Sequence, residues 1–488
     1  MKQLLRNLRM ILIAFLALSL ALIVGITIQQ RKSQKMNWGH AGENKLALKG
    51  RYAEAASIFT RDGIALAESH GGERHYAEDP LLASGLLTLV GDYTHNIGNT
   101  LEERYENVLT GQGRPFWQQI VYDFTGRGMK GSALRLSLDS RLCRKAAELL
   151  QGHKAGLVLM DYRSGDLLAV ANSPLVDPQN VILWKDIPEG ALFNKAFLGK
   201  YPPGSTFKII TDAAWLAAPD YDPNLTVQCK GREALLGPGS VNEDRADAGH
   251  GLIGREAALA HSCNHFFGTV GIRAGAPALL TKARAFGLGK ELAPGGLNCA
   301  SNEVVLPDDT DDYLLSWFAI GQAIENTELS ISPIRLAMLS AAVANGGELM
   351  RPRLVLETED ANGQRHNAEQ PELFSRTGSA AEMAVLRSDM IVSASSGFAR
   401  SAQVPGEVVG GKTGTAQFQS PDGSVHSHAL FTGFMQNETI PLAIGIVIED
   451  EMTDISALAG QIFAAAEGIY RSGRLGIEVL DFIEHKLH

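Results

Sequence analysis

The sequence predicts an α+β protein in which an antiparallel sheet flanked by helices follows a small N-terminal domain and one membrane-spanning helix. Three observations predict this arrangement. Two pairs of strand-like segments occur far apart in the chain, at residues 155–171 and 429–449. Helix-like stretches fill the interval between them, whereas an α/β protein would alternate the two kinds of element. One uncharged run near the N-terminus has the length of a membrane span.

The composition is that of a globular protein with more than one domain. Hydrophobic residues make up 45% of the 488 residues and charged residues 20%, which excludes a disordered chain, a coiled coil and a collagen. A chain of this length exceeds one hydrophobic core, so two or three domains are expected. The formal net charge of −10 argues against a nucleic-acid partner, since nucleic acids select basic surfaces.

The uncharged run covers residues 10–28. As a helix rising about 1.5 Å per residue, it would cross the hydrocarbon core of roughly 30 Å. Basic residues flank it equally, Lys2, Arg6 and Arg9 before it and Arg31, Lys32 and Lys35 after it. Charge therefore leaves its orientation open. A cleaved signal peptide is the alternative, but its apolar region is typically about 7–15 residues long and ends in a small-x-small site, which is missing here. We expect an uncleaved anchor after a tail of residues 1–9.

Residues 36–131 are predicted to form a separate N-terminal domain. Residues 57–67 are typical of two strands joined by an Asp-Gly turn. Thr100 and Glu103 have the spacing of a capping box, which would open a helix that ends near Gly111. Glycines then mark a linker, at Gly126, Gly128 and Gly131.

Residues 132–488 are predicted to form the second domain. Its first hairpin pairs residues 155–161 with 167–171, and its second pairs residues 429–435 with 442–449. Helices are predicted between and after the hairpins, at residues 206–216, 254–262, 264–274, 332–344 and 455–472.

The first candidate catalytic motif is Ser205-Thr206-Phe207-Lys208, which follows a Pro-Pro-Gly loop and is predicted to begin a helix. At this spacing Ser205 and Lys208 share one helical face. A serine hydroxyl becomes a nucleophile when a base removes its proton, and a lysine can be that base when burial or nearby positive charge lowers its pKa. For an isolated S-x-x-K, a capping serine beside a solvated lysine is the commoner case.

The second motif is Ser262-Cys263-Asn264. Residues two apart cannot share a helical face, but Ser262 and Asn264 can both point inward from a loop between two helices. There the serine could relay a proton and the asparagine could bind an amide. Taken alone, this pattern is typical of a turn or a helix cap.

The third motif is Lys412-Thr413-Gly414, followed by Thr415. On an edge strand, Lys412 would supply a cation that also lowers the pKa of Lys208. Gly414 would let a substrate backbone approach closely. The hydroxyls of Thr413 and Thr415 could bind a carboxylate.

No metal and no cofactor is expected. The four cysteines contain no C-x-x-C pair, which excludes zinc-ribbon and thioredoxin sites, although their even number leaves disulfides open. Residues 406–413 match the P-loop pattern, but a P-loop needs a helix directly after it, whereas a turn is predicted at residues 420–423. The histidine pairs at 261/265 and 426/428 are more typical of structural positions than of a metal site.

The ordered motifs S-x-x-K, S-x-N and K-T-G resemble the active-site signature of penicillin-binding proteins and serine β-lactamases. Their flanks resemble peptidoglycan transpeptidases more closely, at residues 201–208, 258–264 and 411–417. Residues 61–67 and 101–111 resemble the N-terminal region of class B penicillin-binding proteins. The chain is therefore identified as a member of that class, in its penicillin-binding protein A-type subgroup.

The resemblance implies a transpeptidase domain with the penicillin-binding and serine β-lactamase-like fold, placed on a pedestal or dimerisation-like domain. It implies Ser205 as nucleophile, Lys208 as its base and Ser262 as proton relay. Asn264 would hold the donor peptide. The terminal carboxylate would be bound by Lys412, Thr413 and Thr415, and Gly414 would contact the substrate backbone. The backbone N–H groups of Ser205 and Thr415 would form the oxyanion hole.

The function implied by the resemblance is that of a peptidoglycan D,D-transpeptidase, a serine-type D-Ala-D-Ala acyl transferase of cell-wall synthesis and cell shape that β-lactams acylate. Its implied partners are stem peptides, β-lactam antibiotics and a polytopic membrane glycan polymerase. It would be a single-pass protein of the bacterial cytoplasmic membrane with its catalytic domain outside and residues 1–9 in the cytoplasm. The alternatives are a D,D-carboxypeptidase, a β-lactamase, and a β-lactam sensor or wall-synthesis scaffold without catalysis.

Overall fold

The computed structural model describes residues 2–35, 50–92, 96–111, 131–178, 186–243, 248–419, 425–437 and 439–484. Helix α1 (Lys2–Lys35) contains the predicted anchor. Its segment Arg6–Ile28 has a mean hydropathy of 2.9 and is not buried inside the protein. It is long and apolar enough to cross a membrane, which agrees with the expected N-terminal span.

The elements that follow α1 are short. They are β1 (Ile58–Phe59), β2 (Ala65–His70), β3 (Glu73–Tyr76), α2 (Pro80–Val90), α3 (Leu101–Arg104) and α4 (Glu106–Leu109). β1 pairs antiparallel with β2, so the predicted strand–turn–strand is confirmed. Thr100 caps α3 by accepting a hydrogen bond from the N–H of Glu103, while the Glu103 carboxylate accepts one from Asn99. The helix expected up to Gly111 is thus two short helices, and Gly126 and Gly128 of the predicted linker lie outside the described residues.

The elements from residue 133 to residue 305 surround the first two motifs. They are β4 (Ala133–Leu136), α5 (Ser140–Leu150), β5 (Ala155–Asp161), β6 (Leu167–Ser173), α6 (Lys195–Leu198), a 3₁₀ turn (Gly204–Phe207), α7 (Lys208–Leu216), β7 (Thr226–Cys229), β8 (Gly251–Gly254), α8 (Arg255–Ala260), α9 (Asn264–Ala274), α10 (Ala276–Ala285) and β9 (Val304–Val305).

The remaining elements carry the third motif. They are α11 (Asp312–Ala319), β10 (Glu328–Leu329), α12 (Pro333–Ala344), β11 (Glu348–Met350), β12 (Val355–Glu359), β13 (Arg365–His366), β14 (Leu373–Arg376), α13 (Ala380–Ser396), β15 (Val408–Gln419), β16 (Val425–Gln436), β17 (Leu442–Ile448) and α14 (Ile455–Glu484). The predicted helices at 264–274 and 332–344 match α9 and α12 closely, whereas α14 continues beyond the expected end at residue 472.

A six-stranded sheet ties the N-terminal region to the rest of the chain. Its order is β13-β12-β4-β1-β2-β3, and β1 pairs in parallel with β4. Three of its strands therefore come from residues 58–76 and three from residues 133–136 and 355–366. Strands from both sides of the predicted boundary at residue 131 therefore belong to one sheet.

The catalytic motifs are arranged around a second, five-stranded antiparallel sheet of order β15-β16-β17-β5-β6. The two predicted hairpins meet in it, because β17 pairs with β5 in register from Leu442 opposite Asp161 to Ile448 opposite Ala155. Every residue of β17 is buried, so helices cover both faces. On one face Thr432 donates a hydrogen bond to the Leu336 carbonyl of α12, and the α+β architecture is confirmed.

Candidate active site

The nucleophile segment begins as a 3₁₀ turn, Gly204–Phe207, and becomes α-helical at Lys208. The predicted helix therefore starts one turn later than Ser205. In a 3₁₀ turn the side chains at i and i+3 eclipse one another. Ser205 and Lys208 are consequently aligned more directly than α-helical geometry would align them, with Ser205 half-buried and Lys208 fully buried.

Glycines hold this turn close to two neighbouring segments. Gly204 has φ +51° and donates its N–H to the Gly321 carbonyl at 3.0 Å. A Cβ added at Gly204 would lie 2.4 Å from the Thr415 carbonyl oxygen, and one added at Gly321 would lie 1.9 Å from the Gly204 oxygen. The nucleophile turn is thus clamped between the third motif and the loop of Gly321, and only glycine fits at both contacts.

Lys208 joins the first motif to the second. Its Nζ donates to the Ser262 carbonyl at 2.6 Å, to Ser262 Oγ at 3.2 Å and to Asn264 Oδ1 at 2.5 Å. The contact of Lys208 with Ser262 and Asn264 is therefore observed, and its predicted action on Ser205 stays a prediction.

The second motif lies in the turn between α8 and α9. Ser262 has φ +57°, a left-handed conformation that costs a non-glycine residue free energy. Asn264 is the first residue of α9, and its Nδ2 donates to the Asn242 carbonyl at 2.8 Å while its N–H donates to Glu243 Oε1 at 2.6 Å. The backbone of Asn264 is held by Glu243 and its side-chain Nδ2 by Asn242, so its Oδ1 is oriented toward Lys208.

The third motif lies on β15, an edge strand of the five-stranded sheet. Lys412 is fully buried and its Nζ donates to the Thr413 carbonyl at 2.9 Å. Thr413 and Thr415 are half-buried and share the other face of the strand. A Cβ added at Gly414 would lie 2.9 Å from Thr206 Cγ2, so glycine is required where the strand touches the nucleophile turn.

The alternative P-loop interpretation of residues 406–413 is wrong. Both Lys412 and Thr413 lie inside β15, which runs on to Gln419, so no helix begins after the match. A phosphate-binding loop needs that helix N-terminus.

A buried ionic group beneath the site was missed by sequence reasoning. Arg255, the first residue of α8, contacts Asp389 of α13, and its Nη1 lies 3.6 Å from Asp212 of α7. Burial raises the pKa of both carboxyls, and the charge of Asp212 raises the pKa of Asp389 further. The group ties together the helix of Lys208, the helix that leads to Ser262 and the helix packed on β15. Three residues so distant in sequence give no local signal.

Side chains that could hold a metal ion lie behind the second motif and outside the hydroxyl and amine groups of the site. Cys229, Glu243, His250 and Cys263 each offer one ligand atom, and these atoms lie within 4.8 Å of one another. Sequence reasoning did not find this group, because its members are spread over residues 229–263 without a recognised spacing.

Comparison with known proteins gives concordant results. Residues 155–466 match the family described as penicillin binding protein transpeptidase domain. The peptidoglycan D,D-transpeptidase PbpA of Mycobacterium tuberculosis is 30% identical over 77% of this chain and 79% of its own length. The PbpA of Mycolicibacterium smegmatis is 26% identical over 94% of this chain and 96% of its own length.

Solved structures resemble the fold over most of the chain. Penicillin-binding protein A from M. tuberculosis, solved as an imipenem acyl-enzyme complex, superposes with a TM-score of 0.74 at 26% identity. The match covers 86% of this chain and 99% of the solved one. A protein of this fold therefore forms a covalent complex with a β-lactam.

Proposed function

The chain belongs to the penicillin-binding protein transpeptidase family, and from this premise we propose that it is a peptidoglycan D,D-transpeptidase that works through an acyl-enzyme on Ser205 and is acylated there by β-lactams. The observation that carries the proposal is the meeting of the three motifs. Lys208 bonds to Ser262 and Asn264, and the strand of Gly414 touches the turn that carries the nucleophile. Serine acyl transfer needs such a nucleophile, base and relay in contact.

Acylation follows from the positions of these groups. Ser205 Oγ attacks the carbonyl of the penultimate D-Ala while its proton passes to the neutral Lys208 amine. The proton then moves through Ser262 Oγ, 3.2 Å from Lys208 Nζ, to the leaving D-Ala nitrogen as its bond to the carbonyl carbon breaks. The acceptor-strand amine later displaces Ser205 and returns the proton. Each transfer uses groups that can make hydrogen bonds in sequence.

The oxyanion and the terminal carboxylate of the substrate are both expected to bind at β15 and the turn of Ser205 beside it. Because Gly204 packs directly on the Thr415 backbone, the N–H groups of Ser205 and Thr415 belong to one small region, where they would stabilise the oxyanion by roughly 3–4 kcal/mol per donor. The hydroxyls of Thr413 and Thr415 share one face of the strand and would bind the terminal carboxylate. Lys412, buried in the same strand, adds positive charge that favours this anion.

We further propose the organisation that this function needs. Residues 1–9 are cytoplasmic, residues 10–28 cross the cytoplasmic membrane and the remainder lies outside, where peptidoglycan is made. Residues 36–131 form the pedestal and residues 132–488 the transpeptidase domain, with strands of the latter completing the pedestal sheet. A polytopic membrane polymerase would supply the glycan strands.

The test uses the full chain in detergent. A fluorescent penicillin is expected to label it stoichiometrically and to be released slowly, and Ser205→Ala is expected to abolish labelling. Ser472→Ala, an exposed serine on α14, is the matched control and should label normally. With a lipid-linked precursor and a polymerase, mass spectrometry should show cross-linked muropeptides. Stem peptides that are trimmed but not cross-linked would indicate a carboxypeptidase, and rapid loss of the label would indicate a β-lactamase. Labelling of Ser205→Ala would refute Ser205 as the nucleophile.

A further inference from the structure

Four side chains with metal-ligating atoms converge immediately behind the second motif. They are Cys229, Glu243, His250 and Cys263, named here the four-ligand cluster. Cys229 Sγ lies 3.3 Å from His250 Nδ1 and 3.6 Å from Glu243 Oε1. Both thiols are fully buried, and the mechanism of acyl transfer uses none of the four groups.

Secondary structure fixes three of the four positions. Cys229 is the last residue of β7 and pairs with Gly251, the first residue of β8, which places His250 beside it. Cys263 is the N-cap of α9. A Cβ added at Gly249 would lie 2.3 Å from the Cys229 carbonyl oxygen, so the loop of His250 is held tightly against the end of β7.

The distances fit a tetrahedral ion. With bonds of about 2.0–2.3 Å, the edges of a zinc tetrahedron measure about 3.3–3.8 Å. The two separations from Cys229 Sγ, 3.3 and 3.6 Å, already fall in that range. The remaining ones, bounded by 4.8 Å, need to shorten by about 1.5 Å at most. Two sulfurs, an imidazole nitrogen and a carboxylate oxygen are a donor set that selects Zn²⁺ over harder cations.

A cluster held by hydrogen bonds alone is the competing explanation. It accounts for Glu243, whose Oε1 accepts from the N–H groups of Asn264 and His265 at the start of α9. It does not account for two buried thiols and an imidazole whose ligand atoms all lie within 4.8 Å of that carboxylate and of one another. Buried ionisable groups gathered in this way are ordinarily paired or bound to a metal.

We propose that the four-ligand cluster is a closed, four-coordinate Zn²⁺ site that fixes the geometry of the second motif. Four protein ligands leave no open position, so the ion is structural. Cys263 lies between Ser262 and Asn264, and an ion on its sulfur would hold both in place, including the left-handed turn at φ +57°. The expectation of a metal-free protein, drawn from local spacing, is thereby replaced.

The proposal is tested first by metal content. The full chain, purified in detergent without a metal-affinity tag, is expected to carry about one zinc ion per chain by mass spectrometry of elements. Replacement by Co²⁺ should give the d–d bands of tetrahedral cobalt with thiolate charge-transfer absorption. Cys229→Ser should weaken zinc binding at least about 100-fold, while Cys299→Ser, a cysteine outside the cluster, should retain one ion.

The overturning results are equally specific. Less than about 0.1 ion per chain after dialysis against Zn²⁺, a cobalt spectrum without thiolate bands, or a Cys229–Cys263 disulfide in the intact mass would each refute the site. Should Cys229→Ser fail to fold, the wild-type chain decides: stripping with a chelator should lower Tm, and added Zn²⁺ should restore it, whereas an unchanged Tm contradicts the proposal.

The effect on chemistry rests on the proposed function. The stripped chain is expected to react with a fluorescent penicillin about ten-fold or more slowly and to recover with Zn²⁺. Metal content does not depend on the nucleophile, so Ser205→Ala should still bind one ion per chain. Loss of labelling with normal zinc content, and normal labelling without zinc, therefore identify which of the two proposals has failed.

Discussion

Replacing Ser262 by glycine is expected to leave the chain more stable than replacing it by alanine, and both replacements should slow acylation. The two variants differ because Ser262 has φ +57°. Alanine keeps the left-handed backbone strain and glycine relieves it. Both remove the hydroxyl that accepts a hydrogen bond from Lys208 at 3.2 Å, so that loss cancels between them.

The expected difference in Tm between the two variants follows from the free-energy cost of the left-handed backbone conformation. A left-handed conformation costs a non-glycine residue about 1 kcal/mol relative to glycine, after allowance for the greater freedom of glycine in the unfolded chain. Unfolding entropy is about 2.1 cal/mol/K per residue, which over 488 residues gives about 1 kcal/mol/K. Ser262→Gly should therefore melt about 1 °C above Ser262→Ala. Loss of a proton relay should slow acylation about 100-fold or more in both.

The assay combines replicate melting curves with rates of labelling by a fluorescent penicillin. Ser388, exposed in the interior of helix α13, provides the matched control. There the order must reverse, because glycine in a helix interior is about 1 kcal/mol less favourable than alanine. Equal or lower stability of Ser262→Gly relative to Ser262→Ala would refute the strain argument. Acylation of either variant at the wild-type rate would refute the relay.

Two further perturbations test the neighbouring contacts. Gly414→Ala should slow acylation about 10- to 100-fold, because its Cβ would lie 2.9 Å from Thr206 Cγ2 and push the strand from the nucleophile turn; Gly468→Ala, with nothing within 4 Å, is the control, and equal labelling rates would contradict the clamp. Asp389→Asn should flatten the fall of Tm with rising pH. Because burial raises the pKa of Asp389 to about 8, the folded chain binds more protons than the unfolded chain between about pH 3.8 and pH 8. Wild-type stability therefore declines as the pH rises through that window. An unchanged dependence of Tm on pH in Asp389→Asn would refute this explanation.

Local patterns in the sequence were enough to place most elements of the five-stranded sheet and its helices. The strand at 155–161 and the helix at 264–274 have the predicted bounds because apolar runs and helix ends are encoded by adjacent residues. The start of the nucleophile helix was misplaced by one turn. Gly204, at φ +51° and in contact with Thr415, imposes the 3₁₀ turn through a tertiary contact that spacing does not report.

Non-local pairing accounts for what sequence reasoning missed. Strands at 58–76 combine with strands at 133–136 and 355–366, and nothing in any one of these segments names its partner. The same holds for the four-ligand cluster and for the Asp212–Arg255–Asp389 group, whose members belong to different elements. The catalytic motifs were accessible because each is a short continuous run, and their resemblance to a known family supplied the order that spacing alone could not.

The position of β15 at the edge of the sheet has two opposite consequences. An edge strand presents backbone N–H and C=O groups that an extended peptide can join, which suits a stem peptide lying beside Thr413 and Thr415. The same exposed edge favours unwanted pairing with other chains. Here the turn that carries the proposed nucleophile contacts β15 at Gly414 and Thr415, so it covers part of the edge. In the proposed mechanism, a peptide that pairs with the remaining edge would be brought to Ser205, and binding and reaction would use one surface. The contacts at Gly204, Gly321 and Gly414 would then be a requirement of that mechanism, because a gap between turn and strand would separate the bound carbonyl from Ser205.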